Sequence, residues 1–149
     1  MSDSGLYDEL IMDHIKNARN YRALEDANRK AAGSNPLCGD DLTVYVRVER
    51  DRLEEVTFLC TCCGVSMASA SIMTERMTGK SASDAKALAR AFAELLATRA
   101  DPMSSGGDAA QRAVLATARD YPARMRCAAL PWLTLEAALD GRKEAIFVR

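Results

Sequence analysis

Apolar residues recur along this chain with two different periods, and each period predicts an element. Leu6, Leu10, Ile11 and Ile15 fall on one helical face, which predicts an amphipathic helix from about Gly5 to Ala18. A polar stretch from Asn20 to Gly33 leaves room for one short irregular strand. Leu42, Val44, Val46 and Val48 then alternate with polar or aromatic residues. Leu53 to Phe58 resumes the β pattern after the charged turn Glu49-Arg50-Asp51-Arg52, so the two runs read as a hairpin. From Cys63 the period becomes helical: Met67, Ala70 or Ser71, Thr74 and Met77 suit a helix that ends at Gly79. Ser81 and Asp84 have the form of a capping box. Behind them Ala85, Leu88, Phe92, Leu95 and Leu96 mark the stripe of a second helix that stops near Asp101-Pro102. After the loop MSSGGD, Asp108 and Gln111 open a short helix through Ala118. The last helix carries Leu133, Leu135 and Leu139, and it is expected to begin near Leu130 because Pro131 suits a first turn better than an interior. The sum is an α+β domain spanning the whole chain: a small antiparallel sheet of about three strands, an N-terminal helix and several C-terminal helices.

Composition narrows what such a domain does. The 149 residues are 48% apolar and 28% charged, with a net charge of −1. A chain of this size buries roughly 70% of its unfolded surface, so a core forms without metal or disulfide staples. A metal, if one binds, then has a functional rather than a stapling role. Balanced charge gives no electrostatic case for nucleic acid or membrane, and no apolar run approaches the ~20 residues of a bilayer span. The acidic start MSDSGLYDELIMDH lacks the features of a signal peptide, which places the protein in the cytoplasm. Thiols stay reduced there. Five clustered cysteines accordingly favour metal binding or thiol chemistry over a disulfide framework.

Three cysteines lie in FLCTCCGVSMASAS, residues 58 to 71. On a strand, Cys60 and Cys62 share the face of Val56 and Phe58, which is the buried one; they read as small core residues or as an auxiliary metal or redox pair. Cys63 has the opposite parity and opens the helix, where free backbone N–H groups favour a thiolate. In NPLCGDD, residues 35 to 41, Gly39 lets the chain bend so that Cys38 and Asp40 converge. Cys127 sits in YPARMRCAAL beside Arg124 and Arg126, whose charge also stabilises thiolate. Cys38, Asp40, Cys63 and Cys127 would make four ligands for zinc or iron, drawn from three separate segments. His14, the only histidine, reads as a packing residue rather than a ligand. Met67, Met73 and Met77 read as core or adaptable contact surface.

The pattern NPLCGD, then Cys63 leading into SMASAS, then PARMRCA with Trp132 a few residues on, resembles the IscU/NifU/SufU family of iron–sulfur cluster assembly proteins. The opening LYDELIMDHIKNARN, the long interval between Cys63 and Cys127, and Arg126 in place of a histidine resemble the SufU branch. That resemblance implies that Cys38, Asp40, Cys63 and Cys127 hold zinc, and that the partner is a SufS-type cysteine desulfurase. A desulfurase histidine would displace Cys38, which then takes the persulfide sulfur as nucleophile. The same resemblance also admits a scaffold that assembles a [2Fe–2S] cluster on the three cysteines, with iron in place of zinc. A zinc-stabilised binding module without sulfur chemistry is a third reading. The chain departs from the family at Cys60 and Cys62, where glycines are expected, and this leaves a ligand set shifted to Cys62 open.

Overall fold

The computed structural model describes residues 2–36, 39–98, 108–121, 124–142 and 144–146. Among them are α1 (Ser2–Lys16), β1 (Arg29–Asn35), β2 (Asp40–Glu49), β3 (Arg52–Thr61), α2 (Gly64–Met77), α3 (Ala82–Ala97), α4 (Ala109–Asp120), α5 (Met125–Leu139) and β4 (Glu144–Ile146). The fold is α+β, as expected. Three antiparallel strands form the body of the sheet, in the order β3-β2-β1, and the short β4 adds to β1 in parallel.

The alternation of Leu42, Val44 and Val46 buries one face of β2, opposite Phe58 and Val56 of β3. Arg50 and Asp51 join these strands with φ of 52° and 65°. Two successive left-handed residues match the twist of a tight hairpin, although neither is the usual Gly or Asn. The segment expected to hold an irregular strand instead holds the regular β1, paired with β2 from Arg29↔Val46 to Asn35↔Asp40. Its polarity misleads because alternate residues are exposed, and the inward positions carry Ala31, Gly33 and Asn35 rather than large apolar side chains. Gly33 is required by α5: a Cβ there would overlap Thr134 Oγ1.

Helix α2 begins and ends close to expectation, with Cys63 at its N-cap and the left-handed Gly79 just past Thr78. Ser81 accepts from the Asp84 N–H at the start of α3, and Asp108 with Gln111 forms a full capping box at α4. Helix α3 ends at Ala97, and the expected stop at Asp101-Pro102 lies outside the described residues.

The last helix differs from expectation. It starts at Met125, so Pro131 lies inside it and Cys127 is part of its first turn. A proline interior to a helix costs about 3 kcal/mol, partly because the carbonyl four residues earlier loses its partner. Here that carbonyl belongs to Cys127, and it accepts from Ser66 Oγ of α2 at 2.8 Å. The next carbonyl, of Ala128, accepts from Ser69 Oγ at 2.6 Å, and Ser69 in turn accepts from Trp132 Nε1 at 2.8 Å. The small residues of SMASAS thus seat α2 against α5 as well as against the sheet. Ser71 performs the same service for α1, meeting His14 Nδ1 at 2.7 Å. His14 is buried between the helices, in the packing role expected of it. Met73 and Met77 are core residues, and Trp132 packs on Phe92 with ring centroids 4.4 Å apart. Among the described residues no helix is long and apolar enough to cross a membrane.

Candidate metal centre

Three of the four predicted ligands arrive from different elements: Asp40 opens β2, Cys63 caps α2, and Cys127 lies in the first turn of α5. One ligand atom from each lies within 4.8 Å of the others. Cys38, the fourth, is outside the described residues.

The Asp40 carboxylate is almost wholly buried, at 3% exposure, and is held by donors on both oxygens. Oδ1 accepts from the Cys63 backbone N–H at 3.0 Å, and Oδ2 accepts from Ser66 Oγ at 2.9 Å. Cys63 Sγ lies 3.7 Å from Oδ2. Ser66 therefore serves two acceptors, Asp40 and the Cys127 carbonyl, with one hydroxyl proton.

The Cys63 thiol is pulled down from 9.0 to about 6. The Cys127 side chain hydrogen-bonding to it lowers it most, and the Ser66 backbone N–H and hydroxyl add to that effect; burial and the Asp40 charge oppose it. Cys127 therefore does most to favour a thiolate at Cys63, and the first turn of α2 supports it.

Asn35 is a member of this site that its sequence position presents only as the start of an Asn-Pro turn. Its side chain is fully buried, with Nδ2 3.9 Å from Cys127 Sγ, and its Oδ1 has no hydrogen-bond partner among the described residues. An amide that donates to sulfur suits a thiolate better than a thiol. The Asn35 C=O is also tied into the turn, since it accepts from the backbone N–H of Gly39, at φ 73°, at 2.8 Å. That bond spans the segment containing Cys38. Ser66 was equally hidden, because a serine in a helix of small residues carries no pattern that points to a ligand.

Two sulfurs and a carboxylate oxygen, brought together in a largely buried pocket with donors ready for their anionic forms, fit a thiophilic divalent ion such as zinc. Cys62 does not join them. Its sulfur is bonded to that of Cys60, contrary to the expectation of reduced thiols, and this closes the alternative of a ligand set shifted to Cys62. The reason is local geometry: Cys60, near the end of β3, and Cys62, just past it, have Cα atoms 5.5 Å apart, within the usual range for a bridge. His14 is also outside the cluster.

Comparison with known proteins gives this arrangement a context. The NifU-like N terminal domain matches residues 6–128. The chain belongs to that family. Within it, the chain is 35% identical over 133 residues to the zinc-dependent sulfurtransferase SufU of Bacillus subtilis (strain 168), covering 88% of this chain and 87% of that protein. It is 31% identical over 140 residues to the iron–sulfur cluster assembly scaffold protein IscU of Streptococcus pyogenes serotype M1, covering 94% and 86%. Among solved structures, a protein assigned as an iron–sulfur cluster assembly scaffold for the SUF system of Fervidobacterium islandicum AW-1 superposes with a TM-score of 0.70 at 30% identity, over 88% of this chain and 94% of that one. The NifU-like N-terminal protein of Brucella abortus superposes with a TM-score of 0.78 at 22% identity, over 95% and 96%, which speaks for the fold alone. In this NifU-like domain the three separated sequence segments therefore meet at one place, on the fold that the resemblance implied.

Proposed function

We propose that this NifU-like domain is an iron–sulfur cluster assembly protein that accepts persulfide sulfur from a SufS-type cysteine desulfurase through Cys38. The observation that carries the reading is the convergence of Asp40, Cys63 and Cys127 within 4.8 Å. Cys38 is two residues from Asp40 in the chain. These four residues would hold zinc, and the ion's chemistry would be to keep thiols deprotonated at neutral pH.

Each residue has a task that follows from its surroundings. Asp40 is oriented in advance by the Cys63 N–H and Ser66, and its oxygen is the harder, more exchangeable donor. Cys63 caps α2, where backbone N–H groups favour its thiolate, and Cys127 meets it from the first turn of α5. Asn35 steadies the Cys127 sulfur. Cys38 attacks the outer sulfur of the desulfurase persulfide: a bond forms between Cys38 Sγ and that sulfur, the donor S–S bond breaks, and the desulfurase cysteine leaves as thiolate. The long interval between Cys63 and Cys127, occupied in part by α4, and Arg126 before Cys127 support the SufU-like assignment.

Zinc content of anaerobically purified protein, followed by desulfurase turnover with and without it, tests the reading. Stimulation that Cys38→Ala abolishes is expected. No stimulation, or equal stimulation by Cys38→Ala, removes it. The scaffold reading draws on the Streptococcus relative, whose name carries that role. A visible chromophore after iron and sulfide reconstitution, transferable to an apo-protein, would favour it.

A further inference from the structure

Cys60 and Cys62 take no part in the ligand cluster, yet they stand at its edge. The β2–β3 register pairs Leu42 with Cys60 and Asp41 with Thr61. One more step along the chain brings Cys62 level with Asp40, and the N–H that Asp40 accepts is that of the next residue, Cys63. Cys60 packs against the core, while Cys62 lies beyond the last paired residue of β3. Both are partly buried rather than sealed.

Their bond makes a poor staple. A bridge gains most by closing a long loop, and this one closes across a single intervening residue at the end of a strand already held by its backbone ladder. What the pair offers instead, once reduced to the dithiol, is two electrons at the edge of the candidate metal centre.

We propose that Cys60 and Cys62 form a built-in reductant that converts bound sulfane sulfur to sulfide, so that the chain releases sulfur as well as accepting it. The inference rests on the sulfur-acceptor reading above. In the dithiol state Cys62 thiolate attacks the outer sulfur of the persulfide on Cys38; that S–S bond breaks, Cys38 leaves as thiolate, and Cys62 becomes the persulfide. Cys60 thiolate then attacks Cys62 Sγ. The Cys60–Cys62 bond forms, and the terminal sulfur departs as hydrosulfide. Two thiols lose two electrons and the sulfane sulfur gains them, while the thiol protons pass to hydrosulfide and solvent. The product is the disulfide seen in the structure, and a dithiol reductant resets it. Cys62 is the acceptor because it borders the site, and Cys60 is the resolving thiol behind it.

The test is a single turnover. Protein reduced with a dithiol and separated from it anaerobically is mixed with persulfide-charged cysteine desulfurase, with no reductant added. The wild type should release a burst of hydrosulfide and lose two hydrogen atoms by mass, with the bridge mapping to Cys60 and Cys62. Cys60→Ser should instead keep one added sulfur atom, on Cys62, and release no hydrosulfide. Cys62→Ser should keep it on another cysteine. A wild type that gains a sulfur atom and holds it, or a Cys60→Ser variant that releases hydrosulfide like the wild type, overturns the inference and leaves the acceptor reading intact. If neither wild type nor variants gain sulfur or release hydrosulfide, the acceptor reading falls and takes the inference with it. The wild-type mass and bridge mapping need no variant, so a folding defect in Cys60→Ser does not decide the outcome.

Discussion

Ser66 donates its hydroxyl to the Cys127 carbonyl at 2.8 Å, and that carbonyl is the one that Pro131 leaves without a helical partner. The same hydroxyl lies 2.9 Å from Asp40 Oδ2. One atom thus compensates the proline in α5 and orients a candidate ligand on β2, which ties the stability of the helix to the geometry of the site.

Ser66→Ala should therefore destabilise the protein by about 1–3 kcal/mol, the usual cost of leaving a buried polar group unpaired. In the Pro131→Ala background the cost should fall, because an N–H at position 131 can then reach the Cys127 carbonyl. Urea unfolding of the two single variants and the double variant measures the coupling. Additive losses would show that the serine does not stand in for the missing helical bond.

Asn35 touches Cys127 Sγ without being a ligand itself. Groups that orient a ligand from behind commonly contribute 10–100-fold to metal affinity, and Asn35→Ala is expected to weaken zinc binding by about that factor. Competition against a chromophoric chelator reads the change, with urea unfolding of the metal-free form as the control for stability. An affinity unchanged from wild type would separate Asn35 from the site.

His14 carries the pH dependence outside the cluster. Its pKa is held below 6.5 chiefly by burial and then by the Arg19 charge, against the opposing pull of Glu75, Asp13 and Asp108. Below 6.5 the unfolded chain therefore binds a proton that the folded chain resists. The contribution of neutral His14 is fully present above 6.5 and is lost as pH falls through its folded value. His14→Gln should make the stability profile less steep between pH 7.5 and about 5; the Cys63 thiol, at about 6, keeps the remaining slope there, while Asp13 and Asp140, whose pKa values are lowered from 3.8, titrate below that window. Urea midpoints across that range give the comparison, and parallel profiles for the two proteins would exclude His14 as the source.

The chain's own pattern determined much of this protein. The alternation of Leu42, Val44 and Val46 specifies β2, because one residue of slip would turn its whole apolar set to solvent. Helix starts at Ser81 and Asp108 were legible because capping is chemistry within four residues. Cys63 could be separated from Cys60 and Cys62 by strand parity and helix start alone.

What local pattern could not supply was anything settled between distant segments. Pro131 reads as a helix start because its local cost is about 3 kcal/mol, and only the packing of α2 on α5 provides the serine hydroxyls that offset it. β1 hides behind small and polar residues, because the close approach of α5 leaves no space for a Cβ at Gly33. Asn35 and Ser66 carry no sequence signature of a ligand shell, since their roles consist in reaching Cys127 and Asp40 across 92 and 26 residues of chain. Spacing along the chain decides the elements; where those elements cross decides which buried groups must answer one another, and the candidate metal centre lies at such a crossing.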